Sequence, residues 1–255
     1  MNDFNLSRSD SIDLKNNKYY FPMYVIGTYK KKKLELVNLF SAYTLAQMWI
    51  DTASRYENET SVADALAISS YPSENVHYIG KISYSQQCSM TVECALNNTL
   101  SALHRSYIDC YLIHSPRYSD YCKTWNEMRK LRDKGLIKII GVSNFGIDDL
   151  KKIYKETGEM PTVNQIVRTP ETKAACEDLI NFCQSRNIIV QEAMPFGEIN
   201  NSTKISIELR KKILSNNFYR GIVSVVGTSS SKHLLQNLSV LEVLYDNYKK
   251  NNRDN

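Results

Sequence analysis

Four residues with complementary proton chemistry stand at the ends of short segments of this chain. His114 closes the apolar run Asp109-Cys-Tyr-Leu-Ile-His114 and precedes Ser115-Pro116. Lys81 closes His77-Tyr-Ile-Gly-Lys81, and Asp51 and Tyr56 bound Asp51-Thr-Ala-Ser-Arg-Tyr56. An α/β barrel draws its catalytic groups from the C-terminal ends of several strands, so such residues can converge on one site. A carboxylate, a phenol, an amine and an imidazole gathered there suggest reduction of a carbonyl. Taken singly, each has a plainer reading. Asp51 could cap the following helix, Tyr56 could pack on it, Lys81 could pair with a core carboxylate, and His114 could be a satisfied histidine at a strand end.

The elements that must position these groups are readable as apolar runs. Eight candidate strands cover Met23 to Gly27, Met48 to Asp51, His77 to Lys81, Asp109 to His114, Ile137 to Ser143, Val163 to Val167, Ile188 to Met194 and Ile222 to Thr228. Segments of helical period separate them, among them Leu34 to Gln47, Met90 to Leu103, Trp125 to Lys134, Asp148 to Thr157, Glu171 to Ser185 and Lys204 to Leu214. Each is long enough to cross over between parallel strands. Strand and helix alternating eight times predicts a (β/α)8 barrel, and 255 residues suit one such domain over 1–255. The polar stretch Ser7 to Lys18 is expected to cap the barrel floor, Lys232 to Tyr248 to form the closing helix, and Lys249 to Asn255 to fray.

Composition narrows the function classes. With 42% hydrophobic and 23% charged residues the chain reads as globular, and no apolar run nears the roughly 18 residues that span a bilayer. A formal charge of +5, with one dense basic run at Lys30 to Lys33, indicates neither nucleic-acid nor membrane binding. Met1 to Arg8 lacks the apolar core of a secretory signal, and the six cysteines form no Cys-x-x-Cys pair; a cytoplasmic protein with reduced thiols is expected. Four histidines without ligand spacing leave no expected metal site, and the absence of a heptad seam points to a monomer.

Four ordered segments carry a resemblance. Asp51-Thr-Ala-Ser-Arg-Tyr-Glu-Asn-Glu59, Asp109-Cys-Tyr-Leu-Ile-His114, Gly135-Leu-Ile-Lys-Ile-Ile-Gly-Val-Ser-Asn-Phe145 and Asn164-Gln165 resemble the motifs of the aldo-keto reductase superfamily, from Gly27 to Asn237. The resemblance implies NAD(P)H-dependent reduction of an aldehyde or ketone. Tyr56 is then the proton donor, Lys81 lowers its pKa towards the working range, Asp51 orients Lys81, and His114 holds the substrate oxygen. It further implies an extended dinucleotide, NADPH with NADH possible, lying over the barrel mouth without a Gly-x-Gly-x-x-Gly motif. Ser143, Asn144 and Gln165 match the carboxamide ligands. Thr28, Tyr29 and Lys30 match the segment beside the pyrophosphate and the substrate mouth. Gly227, Thr228, Ser229, His233, Gln236 and Asn237 match the adenosine phosphate loop.

Departures from the family pattern matter as much. His233 replaces an arginine that contacts the 2′-phosphate, which weakens the preference for NADPH. Ala193-Met-Pro-Phe-Gly197 replaces a segment whose tyrosine stacks on the nicotinamide, leaving Met194 or Phe196 with Gly197 to shape that wall. Val167 stands where relatives commonly carry an acid, and the loops over the C-terminal face look shortened, predicting an open pocket. The retained His114 argues against the double-bond-reducing subset, which carries a glutamate there. The alternative is a cofactor-sensing or partner-binding barrel with slow or no turnover, like the potassium-channel β subunits of the same superfamily.

Overall fold

The computed structural model describes residues 11–12, 21–168, 173–197 and 205–251. Eight strands form a closed parallel barrel: β1 (Tyr24–Gly27), β2 (Met48–Asp51), β3 (Val76–Ile82), β4 (Ile108–Ile113), β5 (Ile137–Ser143), β6 (Val163–Val167), β7 (Ile189–Ala193) and β8 (Val223–Val226), with β8 pairing back onto β1. The strands agree with the expected runs to within two residues at each end. Helices α1 (Lys33–Ser41), α2 (Glu59–Ile68), α3 (Tyr84–Ser89), α4 (Val92–Leu103), α5 (Tyr121–Asp133), α6 (Ile147–Thr157), α7 (Lys173–Gln184), α8 (Ile207–Tyr219) and α9 (Ser231–Asn251) surround them.

Side-chain alternation divides the core in two. Val25, Trp49, Ile79, Cys110, Leu112, Ile139, Val163, Ile189, Val223 and Val225 point inward and form one buried cluster, while Ile26, Ile50, Tyr78, Tyr111, Ile140 and Val190 point outward into a larger cluster beneath the helices. Both faces are apolar, which is why the strands read as near-continuous hydrophobic runs. The inward parity continues at the C-terminal ends, two residues beyond Trp49, Ile79, Val163 and Ile189, and it delivers Asp51, Lys81, Gln165 and Gln191 to the top of the barrel.

Several boundaries differ from the expectation for local reasons. The helix expected over Met90 to Leu103 starts later, because Thr91 caps it by accepting the Cys94 amide at 3.2 Å, and Ser83 caps the separate α3. Helix α1 ends at Ser41, where Tyr43 and Leu45 turn into the core in non-helical backbone. Helix α2 lies outside the expected helical segments; its buried face is Val62, Ala63, Ala65 and Leu66. Helix α9 continues through Asn251, so Lys249 to Asn251 are helical rather than frayed. Within the expected floor cap, Ser11–Ile12 pair antiparallel with Phe21–Pro22, and Phe21 closes the inner cluster against Trp49 at 4.5 Å between ring centroids. The remainder of that stretch, and the short loop expected after Gly197 at 198–204, lie outside the described residues.

Gly141 on β5 is required by packing rather than by backbone freedom. A Cβ there would meet Val163 O at 2.7 Å and Leu112 Cδ2 at 2.8 Å. Gly141→Ala should therefore destabilise the barrel by about 1–3 kcal/mol through overpacking, read as a lower urea midpoint at unchanged slope. An unchanged midpoint contradicts that packing.

Candidate active site

The centre of the site is a buried ion pair. Lys81 is fully buried, and its Nζ donates to both Asp51 carboxylate oxygens at 2.6 Å, to Thr52 O at 3.2 Å and to Tyr56 OH at 3.1 Å. Asp51 Oδ2 also accepts from Gln165 Nε2 at 2.8 Å, and the same Nε2 donates to Gln191 Oε1 at 3.0 Å. Both protons of the Gln165 amide are thus committed below, and its carbonyl oxygen is the part left to accept from a ligand. Strand register brings these groups level, with Ser143 beside Gln165 and Gln165 beside Gln191.

Tyr56 and His114 stand above the pair. Tyr56 ends the short 3-10 turn Ser54–Tyr56, and its ring meets His114 edge-on at 5.8 Å and Tyr29 at 5.0 Å. His114 lies one residue beyond β4, tied by its backbone N–H to Ile82 O at 3.1 Å. Burial, then the charges of Lys81 and Arg55, push its pKa down to about 3, so the ring is neutral with one N–H to donate. Its Nδ1 is buried without a partner among the described residues.

The expected tuning of Tyr56 is corrected by the structure. Its pKa is raised, not lowered: burial dominates, Lys81 pulls it down, and Asp51 and Tyr29 push it up again. The Asp51 carboxylate opposes the attraction of Lys81. For Lys81 itself burial favours the neutral amine, but Asp51 and Tyr56 outweigh it and hold the ammonium above its ordinary range. The phenol is therefore protonated at neutral pH, the state a proton donor needs.

A cavity of about 390 Å³ opens over these groups. Asp51, Tyr56 and His114 line it, together with Tyr29, Ser143, Asn144, Gln165, Phe196, Gly197 and Gly227 of the expected cofactor residues. Asn144 adopts a left-handed φ of 60°, which asparagine tolerates, and its Nδ2 donates to Ser143 Oγ at 3.1 Å. Ala193, Met194 and Phe196 form the wall where a stacking ring would lie.

The remaining expected ligands are not on the cavity wall. Thr28 is buried and its hydroxyl donates to Asp51 O at 2.9 Å. Thr228 is buried and accepts the Ser230 amide at 3.2 Å. Ser229 accepts from Lys31 Nζ at 2.9 Å, and Gln236 accepts from Arg210 at 3.3 Å. Asn237 is buried and donates to Tyr24 OH at 3.3 Å. His233 has a lowered pKa, from burial and then the nearby Arg210 and Lys232, so positive charge in this segment comes from those neighbours and from Lys31. Gln191, Arg55 and Arg210 were missed from the sequence. The inward parity of β7 is the signal that would have found Gln191.

The aldo/keto reductase family model matches residues 27–211. The chain belongs to this family. An NAD/NADP-dependent indole-3-acetaldehyde reductase of Schizosaccharomyces pombe is 32% identical over 190 residues, covering 70% of this chain and 66% of that protein. An aldehyde reductase of Saccharomyces cerevisiae is 27% identical over 241 residues, covering 78% and 76%. Among solved structures, an aldo-keto reductase from a deep-sea metagenome library superposes with a TM-score of 0.75 at 25% identity, covering 88% of this chain and 87% of that one. The chain spans less than two thirds of some curated relatives, 52% in the case of an aldo-keto reductase of Mycobacterium avium.

The buried neutral His114 makes a pH prediction. The unfolded chain takes up a proton near pH 6.5 that the folded one refuses until about 3, so stability falls as pH drops through that window. The slope from this side chain is at most about 1.4 kcal/mol per pH unit. Urea unfolding from pH 6.5 down to about 4.5 should show a shallower loss in His114→Asn. Equal slopes in both proteins contradict the assignment.

Proposed function

We propose that this chain is an oxidoreductase that reduces an aldehyde or ketone to the alcohol with NADPH, NADH serving less well. The observation that carries the reading is the Tyr56 hydroxyl, 3.1 Å from Lys81, on the wall of a cavity shared with His114, Ser143, Asn144 and Gln165. Family membership and relatives named as reductases support it.

The residues fit a nicotinamide. Ser143, Asn144 and Gln165 offer a carboxamide a hydroxyl, an amide and a carbonyl whose orientation is set by Asp51 and Gln191. When bound, the reduced nicotinamide supplies a hydride to the carbonyl carbon. As the C=O π pair moves to oxygen, Tyr56 gives that oxygen its proton, and the Lys81 ammonium stabilises the phenolate left behind. Asp51 keeps Lys81 charged. The neutral His114 donates its single N–H to the same oxygen and fixes its direction. Phe196 and Met194 supply broad apolar surface beside Ala193, whose methyl group carries no ring to stack. Lys31, Lys232 and Arg210 supply the positive charge that His233 lacks for an adenosine phosphate, which supports NADPH.

The cofactor-sensing alternative is not favoured, because all four proton-handling groups are assembled around one cavity. The reading further takes the whole chain as one barrel domain and a cytoplasmic monomer; the six free cysteines support a reducing compartment. Among the described residues no helix is long and apolar enough to cross a membrane.

In Tyr56→Phe, carbonyl reduction should fall roughly 100- to 10,000-fold while NADPH still quenches protein fluorescence. Undiminished reduction by that variant overturns the role of Tyr56.

A further inference from the structure

The rim of the cavity is cationic. Arg55, Lys30 and Lys31 all line it, whereas the one lining carboxylate among the described residues, Asp51, is buried and neutralised by Lys81. The three cations differ in their engagements. Lys31 reaches Ser229 on the adenosine side, and Lys30 lies over the Tyr29 ring at 5.0 Å. Arg55 has no ion-pair partner among the described residues, although arginines on the outer helices are paired, Arg129 and Arg132 with Glu159 and Arg220 with Glu177.

The position of Arg55 is informative. It sits in the 3-10 turn immediately before Tyr56, and its charge bears on His114. The guanidinium thus belongs to the part of the cavity lined by Tyr56 and His114. An unpaired guanidinium at the edge of a partly desolvated cavity attracts an anion and matches a carboxylate with two parallel N–H donors. The rest of the nearby wall, Tyr29, Val167, Met194 and Phe196, suits an apolar or aromatic skeleton.

We propose that the substrates are carbonyl compounds bearing a carboxylate, with Arg55 pairing the carboxylate while Tyr56 and His114 hold the carbonyl oxygen. This rests on the carbonyl-reduction reading above. Arg55 acts on specificity rather than on the chemical step, so its effect falls in KM. Added salt weakens it, because the pair lies at an exposed rim.

Benzaldehyde and 4-carboxybenzaldehyde separate the possibilities, measured with wild type, Arg55→Met and Arg55→Lys, alongside NADPH affinity by fluorescence. The wild type should favour the carboxylated aldehyde in kcat/KM by roughly 10- to 100-fold, the scale of a charge-assisted hydrogen bond. That ratio should collapse towards one in Arg55→Met through KM, recover in part in Arg55→Lys, and shrink in high salt. A wild-type ratio near one, or a ratio that survives in Arg55→Met, overturns the proposal. Weakened NADPH binding by Arg55→Met assigns the guanidinium to a cofactor phosphate and overturns it equally. Failure of the wild type to reduce either aldehyde overturns the carbonyl-reduction reading, and this proposal with it.

Discussion

The arrangement of this site depends on a buried lysine remaining charged. Removing an ammonium from water costs several kcal/mol, and only close, well-satisfied partners offset it. Lys81 has them in two Asp51 oxygens at 2.6 Å, the Thr52 carbonyl and the Tyr56 hydroxyl. Asp51 is in turn held by Gln165, and Gln165 by Gln191. The pair is close to neutral as a unit, and this governs its neighbours. Tyr56 keeps its proton, and His114, facing burial and the residual positive charge of Lys81 and Arg55, stays neutral. A phenol and a neutral imidazole thus sit side by side without either being ionised.

The barrel makes such an arrangement economical in structure. Parallel strands with fixed alternation place every second residue inward, so a polar residue two positions beyond an inward apolar one arrives at the same level from each strand. Asp51, Lys81, Gln165 and Gln191 follow this rule on β2, β3, β6 and β7. The apolar layer beneath, from Trp49 to Val225, excludes water from the underside of the ion pair and closes the floor with Phe21. Gly141 allows β5 to lie close against Leu112 and Val163, and β5 in turn carries Ser143 and Asn144.

The eight strands are legible in the sequence because both of their faces are buried, which turns each into an uninterrupted apolar run. Helix ends are less legible, since Thr91 and Ser83 act through a single hydrogen bond each and the apolar period runs past both. Of the site, the residues with unusual chemistry at strand ends are readable: Asp51, Tyr56, Lys81 and His114 line or support one cavity. What the sequence hides is the balance of forces around them. The proximity of Lys81 suggests a lowered Tyr56 pKa, but burial and the opposing Asp51 charge reverse the sign. Likewise the polar side chains of Thr28 and Asn237 look like ligand groups and are instead spent on Asp51 O and Tyr24 OH. Gln191 carries no chemical signature, and only its inward parity beside Gln165 gives it meaning.

In the reaction proposed for this chain, hydride from the nicotinamide and a proton from this buried network together convert a carbonyl to an alcohol. The most direct test is mass analysis of the alcohol formed by the wild-type protein in ordinary water with NADPH deuterated at nicotinamide C4, each epimer in turn. One deuterium is expected on the carbinol carbon from one epimer and none from the other. Alcohol free of deuterium from both epimers, or NADPH consumed without alcohol, would contradict it.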